Sequence, residues 1–137
     1  MPNACLLTGR VAQALTKIQR DLRVFGLSLK VLDCYRPQAA VNYFVRWAGN
    51  SSDASMRAQY HPRVGKTDLI AKGYIASPSS HSRGSTVDVT VVSMLPSENP
   101  GAEKPASCGG SLGNGALDMG TGYDCFDKAA HTYQPVV

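Results

Sequence analysis

The chain has 137 residues, 43% of them hydrophobic, and 14 Lys and Arg stand against 10 Asp and Glu. This is enough for one domain with a modest core, and no stretch approaches the roughly 20 apolar residues that cross a bilayer, which excludes membrane insertion by a helix. The net charge of +4 is scattered with no basic run interleaved with aromatics, so it reads as a solvated surface and argues against a nucleic-acid partner. No charged-then-apolar leader opens the chain, so an export signal is expected to have been removed or left out.

From Thr8 onward Val11, Ala14, Leu15, Ile18, Leu22 and Phe25 recur at helical spacing, with Arg10, Gln13, Lys17, Arg20 and Arg23 on the other face. This predicts a scaffold helix capped by Thr8 and ended by Gly26. Leu27, Leu29 and Val31 then alternate along a strand that ends at Asp33. The strand runs into Cys34-Tyr35-Arg36-Pro37. Pro37 suits the first turn of a second helix, and Tyr35 and Arg36 fall at a strand–helix junction, a good place to present a side chain. That helix carries Ala40, Val41, Phe44, Val45, Trp47 and Ala48, stops at Gly49, and puts Trp47 in the core.

Residues 50–66 are polar and read as a loop with a short helix, His61 being a surface histidine ahead of Pro62. Residues 67–73 form a short capped helix and residues 74–76 a short strand. Next comes the most informative stretch, Ser79-Ser80-His81-Ser82-Arg83-Gly84-Ser85-Thr86-Val87-Asp88-Val89-Thr90. It reads as a loop, turned at Gly84, that enters a strand over residues 86–92. Val87, Val89 and Val91 point one way and Thr86, Asp88 and Thr90 the other. A loop folded back over the polar face brings the His81 imidazole to the Asp88 carboxylate, the start of a metal site and of zinc in particular. By spacing alone, an exposed histidine and a capping aspartate are the commoner reading.

Residues 96–116 are rich in Gly, Pro, Ser and Asn and form a long loop inserted in a single domain spanning residues 1–137. A loop of this kind serves as a lid or a wall of a cleft. Asp118, Asp124 and Asp127 return in turn-rich sequence, where they read as turn and capping residues. His131 reads as structural. The four cysteines lack metal-ligand spacing and allow three pairings. Cys5 precedes the first helix and Cys34 ends the strand returning along it, which favours Cys5–Cys34 and leaves Cys108–Cys125 to tie down the long loop. Bridges of this kind imply an oxidising compartment, the bacterial periplasm or the exterior; four reduced thiols in a cytoplasmic protein are the alternative.

Three segments, in order along the chain, carry a resemblance: Asp33-Cys34-Tyr35-Arg36-Pro37, the stretch from Ser79 to Thr90, and Asp118-Met119-Gly120-Thr121-Gly122-Tyr123-Asp124. Together they resemble the D-alanyl-D-alanine dipeptidases, a metallopeptidase family that includes the vancomycin-resistance D,D-dipeptidases. The resemblance implies an α+β fold of the hedgehog-like type, a small, mostly antiparallel sheet with helices on one side. It implies one Zn2+ ion on His81 and Asp88, Arg36 as the donor to a developing oxyanion, and Asp124 as the carboxylate for the substrate's amino group. Ser79 and Tyr35 then help position substrate. The implied reaction is hydrolysis of the D-Ala-D-Ala dipeptide by metal-activated water.

The resemblance places the third zinc ligand and the general base in a Glu-x-x-His segment. This chain has no such segment, its only glutamates being Glu98 and Glu103. The expectation is a fragment incomplete at the C-terminus, of low stability and nearly inactive alone. Two other readings are a zinc D,D- or L,D-carboxypeptidase on peptidoglycan stems, and an inactive cell-wall peptide-binding domain.

Overall fold

A computed structural model describes residues 4–95, 108–109 and 115–132. Helix α1 spans Gly9–Arg23, strand β1 Leu27–Asp33, α2 Gln38–Gly49, α3 Arg57–Tyr60, α4 Asp68–Ala71 and strand β2 Asp88–Ser93. Single 3-10 turns cover Ser80–Arg83 and Lys128–Ala130. The architecture is small α+β, with β1 and β2 forming one antiparallel pair. On β2 itself Val92 also bridges Ala116, and Ser93 N–H donates to the Gly115 carbonyl at 2.7 Å.

The register explains where the site lies. Leu29 faces Val91 and Val31 faces Val89, but the next pair is Asp33 with Asp88. Two residues of β1 are thus spent against one of β2, a bulge at Leu32. Strict alternation would keep Asp33 on the face of Val31 and send Asp88 to the opposite one. The bulge re-aims the end of β1 and sets the two carboxylates side by side.

The buried core lies away from the sheet. Ala48 of α2, Leu69 of α4, Val64 and Ile75 form it, with Trp47, Tyr74 and Phe126 packed around them. Leu69 is fully buried, at 0% exposure. Helix α1 follows the expected span and packs along β1, where Gln19 Oε1 accepts from the Leu29 N–H at 2.8 Å. It nonetheless buries no residue completely, and Phe25, expected on its inner face, is 76% exposed.

Two further expectations are corrected. Residues 74–76 are not a strand: Tyr74 and Ile75 both donate to the Leu69 carbonyl, which curls them back over α4, and a cis Ser77–Pro78 peptide follows. His61 is not a surface histidine. It is 2% exposed, holds the Val64 carbonyl through Nδ1 at 3.0 Å, and meets Trp47 edge-on. On β2 the polar face is the covered one, Thr90 being 3% exposed and Val89 40% exposed.

Both disulfides, Cys5–Cys34 and Cys108–Cys125, are formed, with Cα atoms 5.5 and 4.7 Å apart. Of the long loop at 96–116, residues 96–107 and 110–114 lie outside the described residues, as do Glu98 and Glu103. No described helix is long and apolar enough to cross a membrane.

Candidate metal centre and substrate cleft

The His81 turn is built by local chemistry. Ser79 Oγ accepts from the His81 N–H at 3.3 Å and starts the 3-10 turn. Gly84 ends it with φ of +65°, a left-handed conformation that an L side chain rarely adopts. The turn is stitched to the β1–α2 junction: Ser82 Oγ donates to the Arg36 carbonyl at 2.8 Å and Arg36 N–H donates to the His81 carbonyl at 3.4 Å.

His81 is buried, and its Nδ1 lies 2.7 Å from the Cys34 carbonyl oxygen. A carbonyl only accepts, so Nδ1 carries the proton and the lone pair of the neutral ring sits on Nε2. That Nε2 is 3.5 Å from Asp88 Oδ1. Two donors held about 2.0–2.1 Å from one tetrahedral ion stand about 3.3 Å apart, so the pair fits a zinc-sized cation. Asp33, His81 and Asp88 together can each offer a ligand atom within 4.8 Å of the others.

Asp33 is already occupied. Its Oδ1 accepts from the Cys34 N–H at 2.8 Å, and its Oδ2 accepts from Arg36 Nε at 3.1 Å and from the second guanidinium nitrogen. The same guanidinium lies 5.1 Å over the Phe44 ring. A carboxylate on one edge and an aromatic face beneath fix Arg36 in one orientation.

Arg36, His81 and Asp88 line a cleft of about 360 Å³ together with Ser79, Tyr123 and Asp124. Phe44, Ile75 and Phe126 supply its apolar wall. Asp124 has φ of +59°, the one described non-glycine residue with positive φ. Aspartate tolerates that region better than most residues. Asp124 is open to solvent on one side, yet the protein around it raises its carboxyl above the ordinary 3.8, and the Asp88 charge adds to this. Tyr123 is pushed upward as well, by burial and then by Asp124 and Asp88.

The family model for D-ala-D-ala dipeptidase matches residues 2–99 of this chain. The chain belongs to the D-alanyl-D-alanine dipeptidase family. The D-alanyl-D-alanine dipeptidase of Enterococcus faecalis is 35% identical over 129 residues, which cover 94% of this chain and 55% of that protein. The Enterococcus faecium enzyme of the same name is 32% identical over 129 residues, 94% of this chain and 55% of the relative. That of Streptomyces coelicolor is 30% identical over 131 residues, 96% and 56%. The chain spans about half the length of the curated relatives it matches.

Within this dipeptidase-family fold Arg36, Ser79, His81, Asp88 and Asp124 meet at one cleft. Tyr35 is not among its lining residues. It lines a separate groove with Leu6, Thr8, Ser82 and Arg83, where its N–H donates to the Leu6 carbonyl at 3.2 Å. His131 is outside the metal-capable group and pairs through Nε2 with the Tyr74 hydroxyl at 2.9 Å. Sequence reasoning passed over two contacts. Asp33 is quoted in its motif without a role, and Tyr123 Oη, which donates to Asp88 Oδ2 at 3.0 Å, has no signal in the sequence beyond adjacency to Asp124.

Proposed function

We propose that this chain carries the metal-holding and substrate-recognising part of a zinc dipeptidase that hydrolyses D-alanyl-D-alanine. The observation that carries this is the juxtaposition of His81 Nε2 and Asp88 Oδ1 at 3.5 Å, in the cleft that Arg36 and Asp124 also line. The names of the relatives supply the dipeptide and its stereochemistry.

His81 and Asp88 hold the metal, and the Cys34 carbonyl keeps the imidazole in the ligating tautomer. A zinc ion held there supplies Lewis-acid polarisation of the scissile carbonyl and water of lowered pKa. Arg36 donates to the oxyanion that develops as water attacks the peptide carbonyl; Asp33 and Phe44 hold its guanidinium in place before substrate arrives. Asp124 receives the free ammonium. A carboxylate at that place rewards a dipeptide and leaves an N-acylated stem peptide without a partner for the acid, which favours a dipeptidase over a carboxypeptidase. Ser79 lines the cleft and supports the His81 turn. The third ligand and the general base fall to a Glu-x-x-His segment, which this sequence does not contain. Two disulfides support the reading of an oxidising compartment, periplasmic or exterior.

D-alanine release from D-Ala-D-Ala tests this, with zinc and with chelator, on the chain and on a chimera carrying a relative's Glu-x-x-His segment. Zinc-dependent release by the chimera is expected. A folded, zinc-loaded chimera that releases none contradicts the proposal.

A further inference from the structure

We propose that Tyr123 is a positioning residue that fixes Asp88 as a one-oxygen metal ligand. This rests on the reading that His81 and Asp88 hold the metal.

The geometry divides the work of the Asp88 carboxylate between its two oxygens. Oδ1 faces His81 Nε2 at 3.5 Å, and Oδ2 accepts the Tyr123 hydroxyl at 3.0 Å. A terminal carboxylate rotates broadly about its last torsion, so an aspartate held only at Cα presents either oxygen, or both, to an ion. A donor on Oδ2 removes that freedom, engages the lone pairs that a two-oxygen grip would use, and leaves Oδ1 turned to the imidazole. Partners of this sort around ligands change metal affinity or activity by about 10–100-fold when lost.

Tyr123 is itself firmly placed. Asp124, next in the chain, has the left-handed backbone that closes the turn. Cys125 is buried and bridged to Cys108, and the Phe126 N–H donates to the Tyr60 carbonyl at 2.7 Å. The turn is therefore anchored directly after the cleft-lining pair Tyr123 and Asp124. It presents one side chain to the metal ligand and the next, Asp124, to the substrate-facing wall.

The test is zinc affinity, read by competition with a chromophoric chelator, for the full chain and for Y123F, D88A and H81A. Thermal midpoints are recorded on the same samples. Removing one oxygen from a half-buried ring leaves its packing intact, so Y123F is expected to keep the wild-type midpoint and to bind zinc about 10–100-fold more weakly. D88A and H81A are expected to lose more. Wild-type affinity in Y123F, alongside weakened D88A and H81A, overturns the role of Tyr123 and leaves the metal site standing. Undiminished affinity in D88A and H81A overturns the metal site, and the role of Tyr123 with it. Equal loss in affinity and midpoint by Y123F makes the tyrosine a packing residue and also overturns the proposal.

Discussion

His81 presents Nε2 to Asp88 Oδ1 at 3.5 Å while its Nδ1 is fastened to a main-chain carbonyl at 2.7 Å. The imidazole is therefore oriented before any ion arrives. A ligand that binds only the folded state stabilises it by mass action, about 2.7 kcal/mol at a hundredfold excess over Kd. Zinc is expected to raise the thermal midpoint of the wild-type chain and to leave H81A and D88A unmoved. Differential scanning calorimetry across a zinc series checks this; equal shifts in all three proteins contradict it.

Arg36 is held by Asp33 and Phe44 rather than left to find its own place. Lysine keeps the charge but loses the planar fork. Removing one preorganised donor to an oxyanion commonly lowers turnover about 10²–10³-fold. In the zinc-loaded enzyme carrying the Glu-x-x-His segment, R36K is expected to reduce kcat on D-Ala-D-Ala by that order with little change in KM. Steady-state kinetics decide, and a change confined to KM assigns Arg36 to substrate binding alone.

Asp124, the carboxylate proposed to receive the substrate's ammonium, is one that folding disfavours in its charged form. Partial desolvation by the protein around its carboxyl, and then the Asp88 charge, raise its folded pKa above 3.8. Its ionised form therefore detracts from stability above that raised value, and the penalty disappears as the pH falls back toward 3.8. Asparagine tolerates the same left-handed backbone. D124N is expected to melt higher than wild type at neutral pH, with the gap closing in acid, and to lose recognition of a free amino terminus. Melting curves over a pH series test the sign, and a D124N protein that melts lower at neutral pH contradicts it.

The Cys5–Cys34 bridge adjoins the carbonyl that orients His81, and the Cys108–Cys125 bridge adjoins Asp124. Cross-links over separations of 29 and 17 residues each restrict the unfolded chain by about 3 kcal/mol. Replacing either pair with serine is expected to lower stability in urea by roughly that amount. Only the Cys5/Cys34 replacement should also weaken zinc binding strongly. Equal effects on zinc from both replacements count against a specific link to His81.

Much of this was legible in the residues because the signals were local. Alternation in Leu27–Asp33 and the helical spacing before Gly49 correspond to β1 and α2 as they stand in the structure. Asp33 escaped because its role depends on a bulge, and a bulge breaks the period from which faces are read. Tyr123 reaches Asp88 across 35 positions of sequence, and no local pattern encodes that contact. His61 looked exposed beside Pro62, yet Trp47 and the Val64 carbonyl enclose it through tertiary packing. Residues 74–76 have strand composition, but the Leu69 carbonyl captures their N–H groups first. The polar face of β2 was legible from its alternation, and Asp88 on that face lines the cleft.

Calorimetric titration of the zinc-loaded chain with D-Ala-D-Ala, beside its N-acetylated form and beside the zinc-free chain, tests the central claim most directly. Binding of the free dipeptide that needs zinc and disappears on N-acetylation is the predicted result. Binding that is indifferent to zinc, or equal for the acetylated peptide, contradicts the roles given to His81, Asp88 and Asp124.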